Sequence, residues 1–252
     1  MALRLHHVAL IVPPPLERAI DAYGALFGRG PSGIDAHAAW FALDDGAVRV
    51  TTDMAAPQAR LVFAAADLAQ AGHTLARRGA PGARQPIPVG PDATVDGLVL
   101  GGEAALGMSI AVVAAAPWRG DSPLLDGLDH VVIRTSAPDR AAAFYGARLG
   151  LDLRLDRTAP EWGARMMFFR CGETILEVVS ALGAAAAEPD SFGGLAWRTH
   201  DLATAHHAYH AVGLDVSPMR AGRRAGTQVA TVRSRAFGAP TLLIGGAKRG
   251  AA

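Results

Sequence analysis

The sequence lacks most features of exported, membrane-spanning or nucleic-acid-binding proteins. It has one cysteine in 252 residues, which excludes an internal disulfide and suits a reducing compartment. No apolar run approaches the roughly 18 residues that a membrane-spanning helix needs. The 24 basic and 23 acidic side chains leave a net charge of +1, far from the basic excess of a protein that binds the phosphate backbone. We therefore expect neither nucleic acid nor a membrane among its partners.

The first twelve residues also lack the pattern of a secretory signal, in which a cationic stretch precedes an apolar core. With the lone Cys171, this predicts a cytoplasmic protein. Half of the residues are hydrophobic and 19% are charged, so the chain can bury one large core or two ordinary ones. Two domains are the better expectation at this length.

An internal repeat is visible by eye. The segment Leu5–Ile11 (LHHVALI) returns as Leu128–Arg134 (LDHVVIR), and Ala22–Gly28 (AYGALFG) returns as Phe144–Gly150 (FYGARLG). A duplicated unit fixes the architecture more firmly than local propensities do. The two halves should therefore share one fold.

Within each half, the periodicity predicts a strand, a helix and then further short strands, and this order occurs twice. Four βαβββ modules result, which is an α+β fold. The division predicted is a first domain at 1–115, a linker at 116–127 and a second domain at 128–247. The linker contains Pro117 and Pro123 and shows little periodicity.

The Leu-Asp-His-Val strand at Leu128–Val131, the helix that ends in Phe144–Leu151 (FYGARLGL) and Glu177 inside an apolar strand together resemble the opening module of the vicinal oxygen chelate superfamily. This superfamily includes glyoxalase I, extradiol dioxygenases and bleomycin-resistance proteins. The resemblance implies two glyoxalase-like domains, each made of two βαβββ modules that form curved mixed sheets with helices outside. It also implies a small-molecule ligand and allows a homodimer.

His130 and Glu177 are the main candidates for chemistry. Strand alternation puts Leu128 and His130 on one face and Asp129 on the other, under the helix. A carboxylate inside an apolar strand needs a partner, a proton, a metal or water. In the module that the sequence resembles, Glu177 would lie next to His130. The alternatives are that Glu177 points into solvent or pairs with an arginine such as Arg165.

The resemblance implies a divalent metal, Zn, Fe, Mn or Ni, held by His130 and Glu177, which would also be the catalytic pair. The positions that match the superfamily's remaining ligands are Gly194 and Leu242, which cannot bind a metal through their side chains. In the first half, Thr51 is expected at the position of Glu177, and no metal is expected there.

Two functions therefore stay open. One is a glyoxalase- or dioxygenase-like protein that binds a small organic molecule in a cupped sheet, as a metal-assisted lyase, isomerase or dioxygenase. The alternative is a metal-free binding or sequestering protein that resembles bleomycin-resistance proteins. In either case the predicted substrate-binding residues are Arg165, Met167, Phe169, Trp197 and Arg223.

Overall fold

The structure is a computed structural model that describes residues 2–35, 37–44, 46–183 and 188–246. In these residues the chain forms two eight-stranded sheets with a few helices outside, one sheet in each half. The predicted α+β class is confirmed.

The first half contains eight strands and two helices. The strands are β1 (Arg4–Ile11), β2 (Gly33–Ile34), β3 (Ala38–Leu43), β4 (Gly46–Thr51), β5 (Ala59–Ala64), β6 (Ala83–Gly90), β7 (Ala93–Leu100) and β8 (Ser109–Val113). The helices are α1 (Leu16–Phe27) and α2 (Leu68–Arg77).

The second half repeats this order. Its strands are β9 (Leu125–Arg134), β10 (Asp152–Ala159), β11 (Ala164–Cys171), β12 (Thr174–Ala181), β13 (Ser191–Thr199), β14 (Arg220–Ala221), β15 (Thr227–Val232) and β16 (Thr241–Gly246). Its helices are α3 (Pro138–Ala142), which continues as a π-helix over Ala143–Arg148, and α4 (Leu202–Ala211).

Both sheets have the same strand order, which is β2-β3-β4-β1-β5-β8-β7-β6 in the first half and β10-β11-β12-β9-β13-β16-β15-β14 in the second. In each module the first strand lies parallel to the last, and the two modules of a half join through an antiparallel pair, β1 with β5 and β9 with β13. Each half is thus two βαβββ modules side by side. Strand β9 begins at Leu125, inside the predicted linker, and the domain division stays a prediction.

The local signals behind these elements are visible in the backbone. Pro138 stands in the first turn of α3, where its missing N–H costs no hydrogen bond. Asp67 and Asp201 cap α2 and α4 by accepting hydrogen bonds from backbone N–H groups of the first turn. Gly28 ends α1 in the left-handed conformation, at φ 65°. These devices fix where the helices start and stop against the convex faces of the sheets.

One hydrophobic cluster extends through both halves. The ring of Phe27 from α1 meets Trp197 of β13 edge to face, with centroids 5.1 Å apart. The hydroxyl of Tyr23 donates to the carbonyl of Phe237, and that of Tyr209 donates to the carbonyl of Leu26. None of the described helices is long and apolar enough to span a bilayer.

Candidate functional site

The concave face of the second sheet encloses a cavity of about 1080 Å³. Its walls come from strands at both ends and from the middle of the sheet, so the curl of the sheet itself makes the cavity. We call this cavity the second-half cup. Its apolar lining is Val132, Leu155, Met166, Phe168, Ile175, Val179, Val229, Leu242 and Ile244.

His130 and Glu177 meet on the floor of this cup. Strands β9 and β12 run parallel, with Ile175 opposite His130 and Val132 opposite Glu177. This register leaves 3.2 Å between His130 Nε2 and Glu177 Oε2. The two side chains keep 16% and 10% of their surface exposed, respectively. Both are therefore enclosed by protein but still accessible from the cavity.

Asp129 joins them through a β-bulge. Across the pairing of β9 with β13, Ala196 stands opposite His130 and Trp197 opposite Leu128, so Asp129 is the extra residue. The bulge turns Asp129 into the cup and Leu128 into the core. The predicted alternation, with Leu128 beside His130 and Asp129 on the other face, is wrong at this point because the bulge interrupts it.

One hydrogen bond of His130 fixes a hydrogen on its ring. Asp129 Oδ2 lies 2.9 Å from Nδ1, and a carboxylate accepts but does not donate, so Nδ1 carries a hydrogen. On the other side of the ring, Glu177 Oε2 lies 3.2 Å from Nε2, which is ion-pair distance. Arg198 lies 3.8 Å from Asp129 Oδ1 and offsets part of the negative charge.

Trp162 lies at the mouth of the cup between two guanidinium groups. Arg157 and Arg223 stand over its ring at 4.8 Å and 4.9 Å from the centroid. Arg223 also reaches into the cup, with Nη1 3.7 Å from the sulfur of Met166. Acidic side chains line the floor, but the arginines outnumber them and raise the potential for an anionic ligand. The cup's other arginines are Arg134, Arg198, Arg220 and Arg224, and its acidic residues are Asp126, Asp129, Glu173 and Glu177.

One known family matches the sequence of this half of the chain. The sequence profile of the Glyoxalase/Bleomycin resistance protein/Dioxygenase superfamily matches residues 127–229, which contain the cup's floor. Over these residues the second half of the chain is similar to this superfamily. No match was found among curated proteins.

Solved structures show the same two-domain fold over nearly the whole chain. The Mn(II)-bound glyoxalase from Novosphingobium aromaticivorans aligns at TM-score 0.70 and 16% identity, over 97% of this chain and 81% of that one. A mutant of 4-hydroxymandelate synthase from Streptomyces coelicolor aligns at TM-score 0.69 and 14% identity, over 98% and 94%. A halotolerant catechol dioxygenase, BphC, aligns at TM-score 0.68 and 12% identity, over 96% and 86%.

Two predicted substrate-binding residues on β11 face away from the second-half cup. Met167 and Phe169 are fully buried in the main core. Their neighbours Met166 and Phe168 line the cavity instead. Because side chains alternate along a strand, the prediction had the right strand and the wrong face.

Trp197 and Arg165 also lie outside the cup. Trp197 is 1% exposed and packs in the core against Phe27. Arg165 donates to both carboxylate oxygens of Asp156 and to Asp139, so its guanidinium is already paired. It makes no ion pair with Glu177, and the alternative that joined those two residues is wrong. Of the five predicted contacts, only Arg223 lines the cavity.

The superfamily's further ligand positions offer no donor here. Gly194 has φ 139°, and an added Cβ would lie 2.4 Å from the carbonyl oxygen of Pro240, so no side chain fits. Leu242 presents a hydrocarbon side chain to the cup. Among the described residues, no cluster of three or more His, Cys, Asp or Glu could hold a metal. His130 and Glu177 supply two donors, fewer than the three or four protein ligands usual for catalytic zinc or iron. The residues present therefore make an incomplete metal site.

The first half carries a different set of residues at the matching positions. His7 pairs with Ala47 in the way that His130 pairs with Ile175. Two residues further along, Ala9 pairs with Arg49 in the way that Val132 pairs with Glu177. Arg49 thus takes the position of Glu177. The expectation that Thr51 would match Glu177 is wrong by two residues, which is one repeat of the strand alternation.

Proposed function

We propose that the second-half cup binds a small organic anion with an apolar body, and that Glu177 and His130 move a proton on the bound molecule. The observation that carries this proposal is the 3.2 Å contact between His130 Nε2 and Glu177 Oε2 on the floor of a cavity rimmed with arginines. A paired acid and base within reach of a bound ligand is the arrangement that general acid–base catalysis requires.

Each side chain has a distinct role in this proposal. Glu177 accepts a proton from a carbon next to a carbonyl group of the ligand, and His130 returns a proton from Nε2. Asp129 is a positioning residue, because its contact with Nδ1 keeps Nε2 directed at Glu177. Arg223 pairs with the anionic group of the ligand, while Phe168 and Met166 pack against its apolar body.

Binding is tested with 8-anilinonaphthalene-1-sulfonate, an apolar aromatic anion whose fluorescence rises in such sites. We expect one dye molecule per chain, displaced by aromatic carboxylates such as phenylpyruvate. Arg223→Gln should weaken dye binding about tenfold, the loss of one charge-assisted contact. Arg170→Gln, on the same strand as Phe168 but exposed and outside the cup, is the control. Equal affinity in both variants would refute the assignment of this cavity.

A metal-assisted reaction is the second candidate. It is favoured by the contact of Asp129 with His130 Nδ1, because histidines that bind metals usually donate their other ring N–H to a carboxylate. A bound divalent ion would polarise the oxygens of a ligand. Elemental analysis of the purified protein tests it: about one ion per chain, lost in Glu177→Ala, would support this candidate, and no metal would end it.

Binding without reaction is the remaining alternative, and Glu177 separates it from the proposal. Glu177→Gln keeps the shape of the cup but removes the proton acceptor. If turnover is found, this variant should bind the ligand with little change in Kd and lose turnover by at least about a hundredfold, the usual contribution of one general base.

A further inference from the structure

A small cavity in the first half lies at the position that matches His130 and Glu177 in the second. Its volume is about 50 Å³, and its lining includes His7, Arg49, Thr51, Arg60 and Val62. The rest of this concave face is filled by an apolar cluster that contains Val62, Ile87, Ala111 and Val113. The cavity is therefore a part of the first sheet's concave face where charged side chains meet open space.

Two arginines bring positive charge to this cavity, and acidic side chains contact them only weakly. Arg49 has only a long contact with an acid, 4.0 Å from Nη2 to Asp35 Oδ2, and more weakly feels the charge of Asp53. Its buried Nε has no hydrogen-bond partner among the described residues. Arg60 donates from Nε to the hydroxyl of Ser109, and the charge that acts on it is Arg49, which repels it. Burial lowers the pKa of both guanidinium groups.

Two histidines complete the cavity as neutral groups. Trp118 donates its indole N–H to His6 Nδ1, so this nitrogen is an acceptor, and His7 Nδ1, 2.8 Å away, must donate to it. Burial lowers the pKa of His6 to about 4 and lowers that of His7 well below its usual value. Neither ring therefore adds positive charge at neutral pH, and the two arginines alone attract a ligand.

The volume of the cavity limits what can bind. One water needs about 10–15 Å³ of cavity volume. A cavity of about 50 Å³ therefore has room for roughly three or four non-hydrogen atoms. Burying unpaired charge is costly, and two guanidinium groups that repel each other would gain from a shared counter-ion. Planar guanidinium groups match the geometry of carboxylates and similar planar oxyanions.

We infer that the first half binds one small planar oxyanion, such as a carboxylate group, between Arg49 and Arg60. The site is separate from the second-half cup and does not depend on the function proposed there. The same fold position thus holds an acid–base pair in one half and an anion site in the other, because Arg49 replaces Glu177.

Thermal unfolding in buffers of constant ionic strength tests this inference. Formate, acetate and nitrate are each exchanged for the bulky sulfonate of morpholinoethanesulfonate. We expect the Tm to rise with the logarithm of anion concentration above Kd, by on the order of 5 °C at about a hundredfold excess over Kd. Butyrate and benzoate form a second arm: stabilisation by these acids would show that the site accepts the carboxylate end of a longer molecule.

Arg60→Gln should abolish the anion-dependent rise in Tm while removing a repulsive charge, so the variant is expected to fold. Arg18→Gln, exposed on α1, is the matched control and should keep the full response. Dye binding in the second-half cup should be unchanged in both variants, which separates this inference from the proposed function. Equal responses in Arg60→Gln and the parent, or no anion-dependent rise in the parent, would overturn it.

Discussion

Asp129 and His6 occupy the same bulged position in the two halves. Both accept a hydrogen bond from the histidine that follows, but Asp129 is a carboxylate and His6 is a neutral ring. Each lies beside the histidine that follows it and contacts that histidine's Nδ1, at 2.9 Å from Asp129 and 2.8 Å from His6. Asp129 accepts the hydrogen of His130 Nδ1 with a carboxylate, whereas burial, more than any neighbouring group, lowers the pKa of His7.

His6 should make folding stability depend on pH. Its pKa is about 4 in the folded protein, because of burial, and 6.5 when unfolded. The unfolded chain therefore takes up a proton first as the pH falls, and the free energy of unfolding should drop between pH 6.5 and about 4. His6→Gln should flatten this part of the curve, measured by urea denaturation across that range. His7 acts in the same direction, so some slope should remain.

His73→Gln, exposed on α2, is the control and should keep the parent's slope. Comparing slopes rather than absolute stabilities removes the constant loss of the hydrogen bonds that His6 makes with Ala116 and Trp118. A parent slope that survives unchanged in His6→Gln would show that His6 is not the titrating group.

The resemblance to the superfamily's module was needed to predict that His130 and Glu177 are neighbours, because in that module the first strand lies beside the fourth. Asp129 was missed because a bulge depends on pairing with a distant strand, which local alternation does not show. One signal was available: both repeats place a polar residue, His6 or Asp129, at a position that strict alternation assigns to the core. A charged residue assigned to an apolar face is evidence of a bulge.

At the scale of the strand, β11 shows why a correct element can still give wrong contacts. Successive side chains on a strand face opposite sides, and β11 has large apolar residues on both. Nothing in Met166–Phe169 (MMFF) distinguishes the core face from the cup face. Strand β6 contains Pro86 and Pro88, which argue against a central strand; it lies at the edge of the sheet, where prolines are tolerated.

Substitutions at two neighbouring phenylalanines should separate the two faces of β11. Phe169→Ala leaves a cavity in the main core and should cost about 3–5 kcal/mol of unfolding free energy. Phe168→Ala removes part of the cup wall and should cost less stability, while weakening dye binding in the second-half cup. Urea denaturation and fluorescence titration of both variants measure these effects. The reverse order of stability losses would contradict the assigned faces.

At the scale of the whole molecule, the halves are built alike but do not stand apart. The main hydrophobic cluster includes residues from both sheets, and buried hydrogen bonds cross from one half to the other. The repeat in the sequence predicted two similar units. It could not show how they pack, because nothing in the sequence indicates that Phe27 and Trp197 contact each other.

This shared core predicts a single unfolding transition. Far-ultraviolet circular dichroism and tryptophan fluorescence should give coincident denaturation curves, although Trp40 and Trp197 lie in different halves. Tyr209→Phe removes the hydrogen bond to Leu26 and should lower the unfolding free energy by about 1 kcal/mol without separating the curves. Two resolved transitions in the parent protein would show that the halves fold independently.

The central claim is that Glu177 and His130 transfer a proton on a ligand bound in the second-half cup. Nuclear magnetic resonance in D₂O measures this directly, as exchange of the hydrogens next to the carbonyl of phenylpyruvate and related 2-oxo acids. We predict exchange catalysed by the parent protein, reduced at least about a hundredfold in Glu177→Gln and unchanged in Arg170→Gln. Bound 2-oxo acids that show no catalysed exchange, or exchange that persists in Glu177→Gln, would contradict the account.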